Sequence, residues 1–206
     1  MKKNVIRNMM ISGGLSLLAV VFALIARHPW NWLAALAMLV STLGDALLAG
    51  YPTCFKAIKD RLVKGGLIFV LAHLLYIAAL IRLSGQTVPA LLPSLWIPAL
   101  VFAVLTAVHG YLFYFRAASA EPKAFFAAST AYLLIVGLHA AMAVCVCMQK
   151  GGALWLNVLG AALFFLSDAI LLARKYVPTD EKRTSFLVWL TYAPAQLCLI
   201  LGFFIA

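Results

Sequence analysis

The chain has 206 residues, 66% of them hydrophobic and 11% charged, with a mean hydropathy of +1.05 and a net charge of +10. That is more apolar surface than a soluble domain of this size can bury, so a water-soluble fold is excluded and an all-α polytopic membrane bundle is implied. The basic residues are spread over several short segments and form no single aromatic-laced patch, which leaves no basis for nucleic-acid binding and is compatible with anionic membrane lipid.

A membrane-spanning helix needs about 20 largely apolar residues. Seven segments qualify: 9–26, 30–50, 65–82, 94–115, 124–148, 153–173 and 185–206. The first follows the basic stretch MKKNVIRN and has the look of a secretory signal. Arg27, His28 and Pro29 stand where a small-residue cleavage site would fall, so it is expected to be a retained helix. The second carries Ser41 and Asp45, and the third, after a basic connection at 51–64, carries His73 and Tyr76. The fourth contains Pro93 and Pro98 and ends in HGYLFYF, a run with the character of an interfacial aromatic belt that includes His109. Tyr132 and His139 lie on the fifth, Ser167 and Asp168 on the sixth, and Tyr192, Pro194 and Gln196 on the seventh. Prolines 93, 98 and 194 are expected to open or kink their helices. Gly65, Gly66, Gly137 and Gly160 are expected to let helices approach closely. With no linker or low-complexity tract, residues 1–206 read as one transmembrane domain. The four cysteines, 54, 145, 147 and 198, read as small packing residues, because a lone C-x-C in a helix is no zinc pattern.

Charge then sets an orientation. Alternating seven helices from a cytoplasmic N-terminus puts 13 of the 16 basic residues on the cytoplasmic side: Lys2, Lys3, Arg7, Lys56, Lys59, Arg61, Lys64, Arg116, Lys123, Arg174, Lys175, Lys182 and Arg183. Only Arg27, Arg82 and Lys150 fall on the other face. The positive-inside rule therefore implies a cytoplasmic N-terminus and an odd number of spans, as expected of a multi-pass protein of the bacterial cytoplasmic (inner) membrane.

Of the six acidic residues, only Asp45 and Asp168 lie within long apolar runs, in the similar sequences LGDALLA and LSDAILLA. An ionisable group at membrane depth costs at least about 2.5–3.5 kcal/mol, so it needs a partner, a wet cavity or a function. Depth counting brings these two carboxylates together with His73, Tyr76, Tyr132, Tyr192 and Gln196 in one band in the cytoplasmic half of the bilayer. The plainer alternative is structural: Ser41 one turn earlier could hold Asp45, Ser167 or a neighbouring helix could hold Asp168, and Tyr192 and Gln196 could be interhelical polar glue.

The ordered motifs S-T-L-G-D (41–45), F-V-L-A-H-L-L-Y (69–76), Tyr132, L-F-F-L-S-D (163–168) and T-Y-A-P-A-Q (191–196) resemble those of the YhhN-like family of integral-membrane lysoplasmalogenases. The resemblance runs from the second helix to the seventh. It implies hydrolysis of the vinyl ether bond of a lysoplasmalogen, releasing a fatty aldehyde and glycerophosphoethanolamine or glycerophosphocholine. It also implies eight spans, one more than the composition gives; a span missed by that count would fall within 84–115.

The residues fit such chemistry. A vinyl ether is cleaved by protonation at carbon, which gives an oxocarbenium ion that water traps as a hemiacetal. Asp45 and Asp168 can serve if one delivers the proton and the other stays ionised to stabilise the cation and orient water. No metal or other cofactor is expected, since the sequence carries neither a metal-ligand cluster nor a phosphate-cradling glycine loop. The lysophospholipid headgroup is expected near Lys56, Lys64, Arg174 or Lys175. An alternative is a proton-coupled transporter, for which paired intramembrane acids and an internal repeat would serve. Against it stands the count of seven spans, which does not divide into two equal halves.

Overall fold

The computed structural model describes residues 2–51, 58 and 60–206, with the side chains of residues 2–4 left out. Cys54, Lys56 and Lys59 and the side chains of Lys2 and Lys3 lie outside the described residues. Seven α-helices follow one another: α1 (Lys2–Ala26), α2 (Pro29–Ala49), α3 (Arg61–Ser84), α4 (Val88–Gly110), α5 (Lys123–Lys150), α6 (Trp155–Tyr176) and α7 (Glu181–Ile205). All seven are long and apolar enough to cross a membrane, and no eighth such helix occurs among the described residues. The segment 84–115, where any eighth span would have to fall, holds one helix from Val88, continued by a π-helical turn at Tyr111–Arg116.

Local chemistry sets the helix ends. Pro29 opens α2, where its missing N–H has no partner to lose, and Gly50 closes it at φ 92°, a left-handed conformation that glycine adopts without strain. The carboxylate of Asp60 caps α3 by accepting from Leu62 N, and that of Asp180 caps α7 by accepting from Lys182 N and Arg183 N. Pro93, Pro98 and Pro194 all lie inside helices.

Six helices close a ring, each packing on the next in the order α1, α2, α3, α5, α6, α7 and back to α1, while α4 sits outside against α5. The chain is thus two three-helix runs, α1–α3 and α5–α7, joined by α4. Seven spans do not divide into two equal halves, but with α4 set aside three helices stand on each side of it. In each run the middle helix carries the buried carboxylate and packs most heavily on the third.

Small residues permit those tight pairings. A Cβ on Gly65 would stand 2.6 Å from Leu48 Cγ, one on Gly160 2.8 Å from the Ala195 carbonyl oxygen, and one on Gly137 2.9 Å from Phe102 Cβ. Gly66 departs from the expected role, since a Cβ there would meet nothing within 4 Å. It faces open space.

Candidate active site

The two carboxylates line one cavity of about 740 Å³ at the end of the bundle where α2 and α6 finish and α3 and α7 begin. Both are buried, at 8% and 3% exposure, so every charge or proton they carry is answered by protein groups or by water in the cavity. Asp45 Oδ2 accepts from Ser12 Oγ on α1 at 2.6 Å and from the Tyr192 hydroxyl on α7 at 2.8 Å. Asp168 Oδ2 accepts from the Tyr132 hydroxyl on α5 at 2.6 Å and has His73 Nε2 of α3 at 3.7 Å.

Behind Asp45 the donors form a directed chain. The Tyr76 hydroxyl donates to Gln196 Oε1 at 2.6 Å, Gln196 Nε2 donates to the Tyr192 oxygen at 3.2 Å, and Tyr192 donates to the carboxylate. Every member passes its hydrogen toward Asp45, and such alignment strengthens each bond in a dry interior. A second polar line extends through Ser12 to Thr42 at 2.9 Å and on to Ser16 at 2.7 Å. The surroundings of Asp168 differ. Beyond His73 lies His139, with the two Nδ1 atoms 3.1 Å apart, so one imidazole donates to the other. Among the described residues neither Nε2 has a hydrogen-bond partner, although both rings are fully buried. The Tyr76 ring stacks on His139 at 5.2 Å, tying the two networks into one polar core. Phe164 packs edge-on against His73 and Tyr192, with ring centroids 4.5 and 5.2 Å apart, and so joins the neighbour of Asp168 to the partner of Asp45.

All seven aromatic, imidazole, amide and carboxylate groups singled out from the sequence therefore meet in one place. Of the two serines only Ser167 reaches the cavity, and neither holds its aspartate. Ser41 Oγ donates back to the Ala37 carbonyl at 2.9 Å on its own helix, so it does not take the role of holding Asp45. Ser167 lines the cavity and donates to the Val188 carbonyl of α7 at 3.2 Å, while Asp168 is held by Tyr132. His109 lies apart, with Nε2 donating to the Ala169 carbonyl at 3.0 Å.

Sequence reasoning missed Ser12, Ser16, Thr42 and the direct pairing of His139. A signal was present: Asn8, Ser12 and Ser16 recur at every fourth position of an otherwise apolar first span, a polar stripe on one face. Of the cations expected near a headgroup, Arg174 and Lys175 line the cavity, Lys64 is not among its lining residues and Lys56 lies outside the described residues; Arg61 was missed. Arg61, Arg174 and Lys175 line the mouth of the cavity together with Asp60 and Glu181. Lys175 Nζ donates to Asp60 Oδ2 at 2.6 Å. Partial burial would raise the Asp60 carboxyl, but the Lys175 ammonium and the Leu62 N–H outweigh it and hold the group below its ordinary value of 3.8.

A buried acid pair facing one cavity with a cationic mouth, inside a ring of apolar helices, defines the class: an integral-membrane helix bundle with a polar intramembrane site. The chain belongs to the YhhN family, whose family model matches residues 8–203, nearly its whole length. No curated protein and no solved structure matches it.

Proposed function

We propose that the chain is a lysoplasmalogenase, hydrolysing the vinyl ether of a single-chain alkenyl glycerophospholipid to a fatty aldehyde and a glycerophospho-alcohol. The observation that carries this reading is the acid pair itself: two carboxylates with unlike support, in one buried cavity whose mouth is cationic. Asp168 is assigned as the acid that protonates the alkene carbon, because it accepts one hydroxyl and lies beside imidazoles that can exchange a proton. Asp45 is assigned as the standing anion. Two hydroxyl donors and the directed chain behind it suit a carboxylate better than a carboxylic acid, and that charge stabilises the oxocarbenium ion. Once Asp168 has delivered its proton it is the base that takes one from the attacking water, and the hemiacetal then collapses to aldehyde and alcohol. The phosphate is held near Arg61 and Arg174 at the rim, beside Lys175. This end of the bundle is assigned to the cytoplasm, so a periplasmic reporter fused after Ala206 should be active and one in the 51–64 loop silent.

The two three-helix runs also occur in the layout of some transporters. One assay separates the readings. Purified protein in detergent has no second compartment, so a transporter yields nothing there. A hydrolase should release aldehyde from a 1-alkenyl lysophospholipid, while the 1-alkyl analogue inhibits competitively without reacting and the 1-acyl analogue is spared. Fatty acid released from the acyl lipid at a comparable rate would contradict the vinyl ether assignment.

A further inference from the structure

A second cavity of about 250 Å³ lies in the seam between α3 and α5 and is lined almost wholly by apolar side chains. It shares Leu48, Leu62, Phe69 and Leu171 with the carboxylate cavity, so the two adjoin. Its walls are regular. Gly66 and Val70 on α3 lie on the face that leads up to His73, while Ala128, Tyr132 and Ile135 on α5 lie on the face that leads up to His139. Tyr132 belongs to both places: it lines the seam, and its hydroxyl is bonded to Asp168.

We propose that this seam is the binding site for the hydrocarbon chain of the substrate, a deepening that rests on the lysolipid reading above. Three observations favour a substrate chain over bulk lipid. The seam is concave, because Gly66 and Ala128 present little or no side chain, and a Cβ on Gly66 would still meet nothing within 4 Å. It adjoins the cavity whose mouth carries Arg61 and Arg174, with four side chains common to both, so one amphiphile can place its phosphate at the rim and its chain in the seam. The bond to be cleaved lies between phosphate and chain, and Asp168 with Tyr132 stands at the corresponding junction of the two cavities. The seam opens toward lipid, so a long chain can extend beyond it into the bilayer, and the substrate can enter sideways without leaving the membrane.

The test uses the full chain in phosphatidylcholine nanodiscs and a 1-alkyl lysophosphatidylethanolamine that carries a photoreactive diazirine in its chain. Adducts mapped by mass spectrometry should concentrate on Gly66, Val70, Ala131 and Ile135, and Gly66→Phe should remove most of them. In turnover of alkenyl lysolipids, Gly66→Phe should raise the long-chain KM about tenfold, the loss expected from displacing about two methylenes from apolar contact. It should change turnover of a short-chain analogue far less. Gly14→Phe, on an exposed face of α1 with nothing within 4 Å, is the control and should match the parent. Adducts spread equally over lipid-facing α4 residues such as Trp96 and Leu100 would mean bulk lipid only and would overturn the inference. Because labelling needs no turnover, the failures are distinguishable. Seam adducts without aldehyde release refute the lysoplasmalogenase reading alone, and aldehyde release without seam adducts refutes the seam alone.

Discussion

The α1–α3 run and the α5–α7 run are built alike but serve their carboxylates differently. In each, the first helix donates a hydroxyl to the acid on the second: Ser12 to Asp45, and Tyr132 to Asp168. In each, the third helix reaches across to the other run's acid, Tyr192 to Asp45 and His73 toward Asp168. The difference lies in what the third helix brings. A phenol at 2.8 Å completes a hydrogen bond that favours the anion, whereas an imidazole at 3.7 Å, with a second imidazole behind it, provides a neighbour that can gain or lose a proton. Similar local sequences thus acquire unlike surroundings from residues far away in the chain.

The largest expected effect comes from removing either acid. Asp45→Asn and Asp168→Asn should each lower kcat by about 10²–10⁴-fold while expression and thermal unfolding stay close to the parent, because Asn keeps the size and still accepts hydrogen bonds. Full activity in either variant would remove that residue from the mechanism, and loss of the folded protein in both would favour a structural role for the pair.

The supports should separate next. Tyr132→Phe takes away the hydroxyl bonded to Asp168 and should cost about 10–100-fold in kcat, the range for a hydrogen bond to the carboxylate that Asp168 becomes as it delivers its proton. Tyr192→Phe leaves Ser12 on Asp45 and should cost less, about tenfold. His73→Ala should give a partial loss and change the shape of the pH–rate profile, which Tyr192→Phe should not. Equal losses and unchanged profiles in all three would erase the distinction between the two acids.

How much of this was legible in the sequence depends on range. Seven spans, the two acids and their shared level along the bundle were readable because hydropathy and helix rise act along the chain. Ser12 was overlooked because serine is common as polar glue, and what singles it out is an acid 33 residues away. Ser41 was overvalued because a serine one turn from an acid is a local suggestion, whereas in the helix its hydroxyl finds the Ala37 carbonyl. The three-one-three division was hidden because flanking sequences of the two runs differ while their contacts correspond. Gly66 could not be told from Gly65 without the rotation of α3 about its axis.

The smallest effect is expected at the rim. Asp60→Asn keeps an N-cap for α3 but breaks the ion pair with Lys175, and because both side chains are about a third exposed the loss should be under about 1 kcal/mol. The Asp60 carboxyl lies below 3.8 in the folded protein, so its contribution is present above that pH and is lost as the pH falls through the lower folded value. Unfolding temperatures of parent and variant should therefore differ slightly at neutral pH and converge in acid, whereas a gap that widens in acid would contradict the pairing.

The central claim is that the acid pair protonates carbon, and isotope incorporation tests it most directly. Turnover of a 1-alkenyl lysophospholipid in heavy water, with the aldehyde reduced as it forms, should place one deuterium on the carbon next to the former carbonyl in every product molecule. Product with no deuterium there would contradict carbon protonation and, with it, the assignment of Asp168 and Asp45.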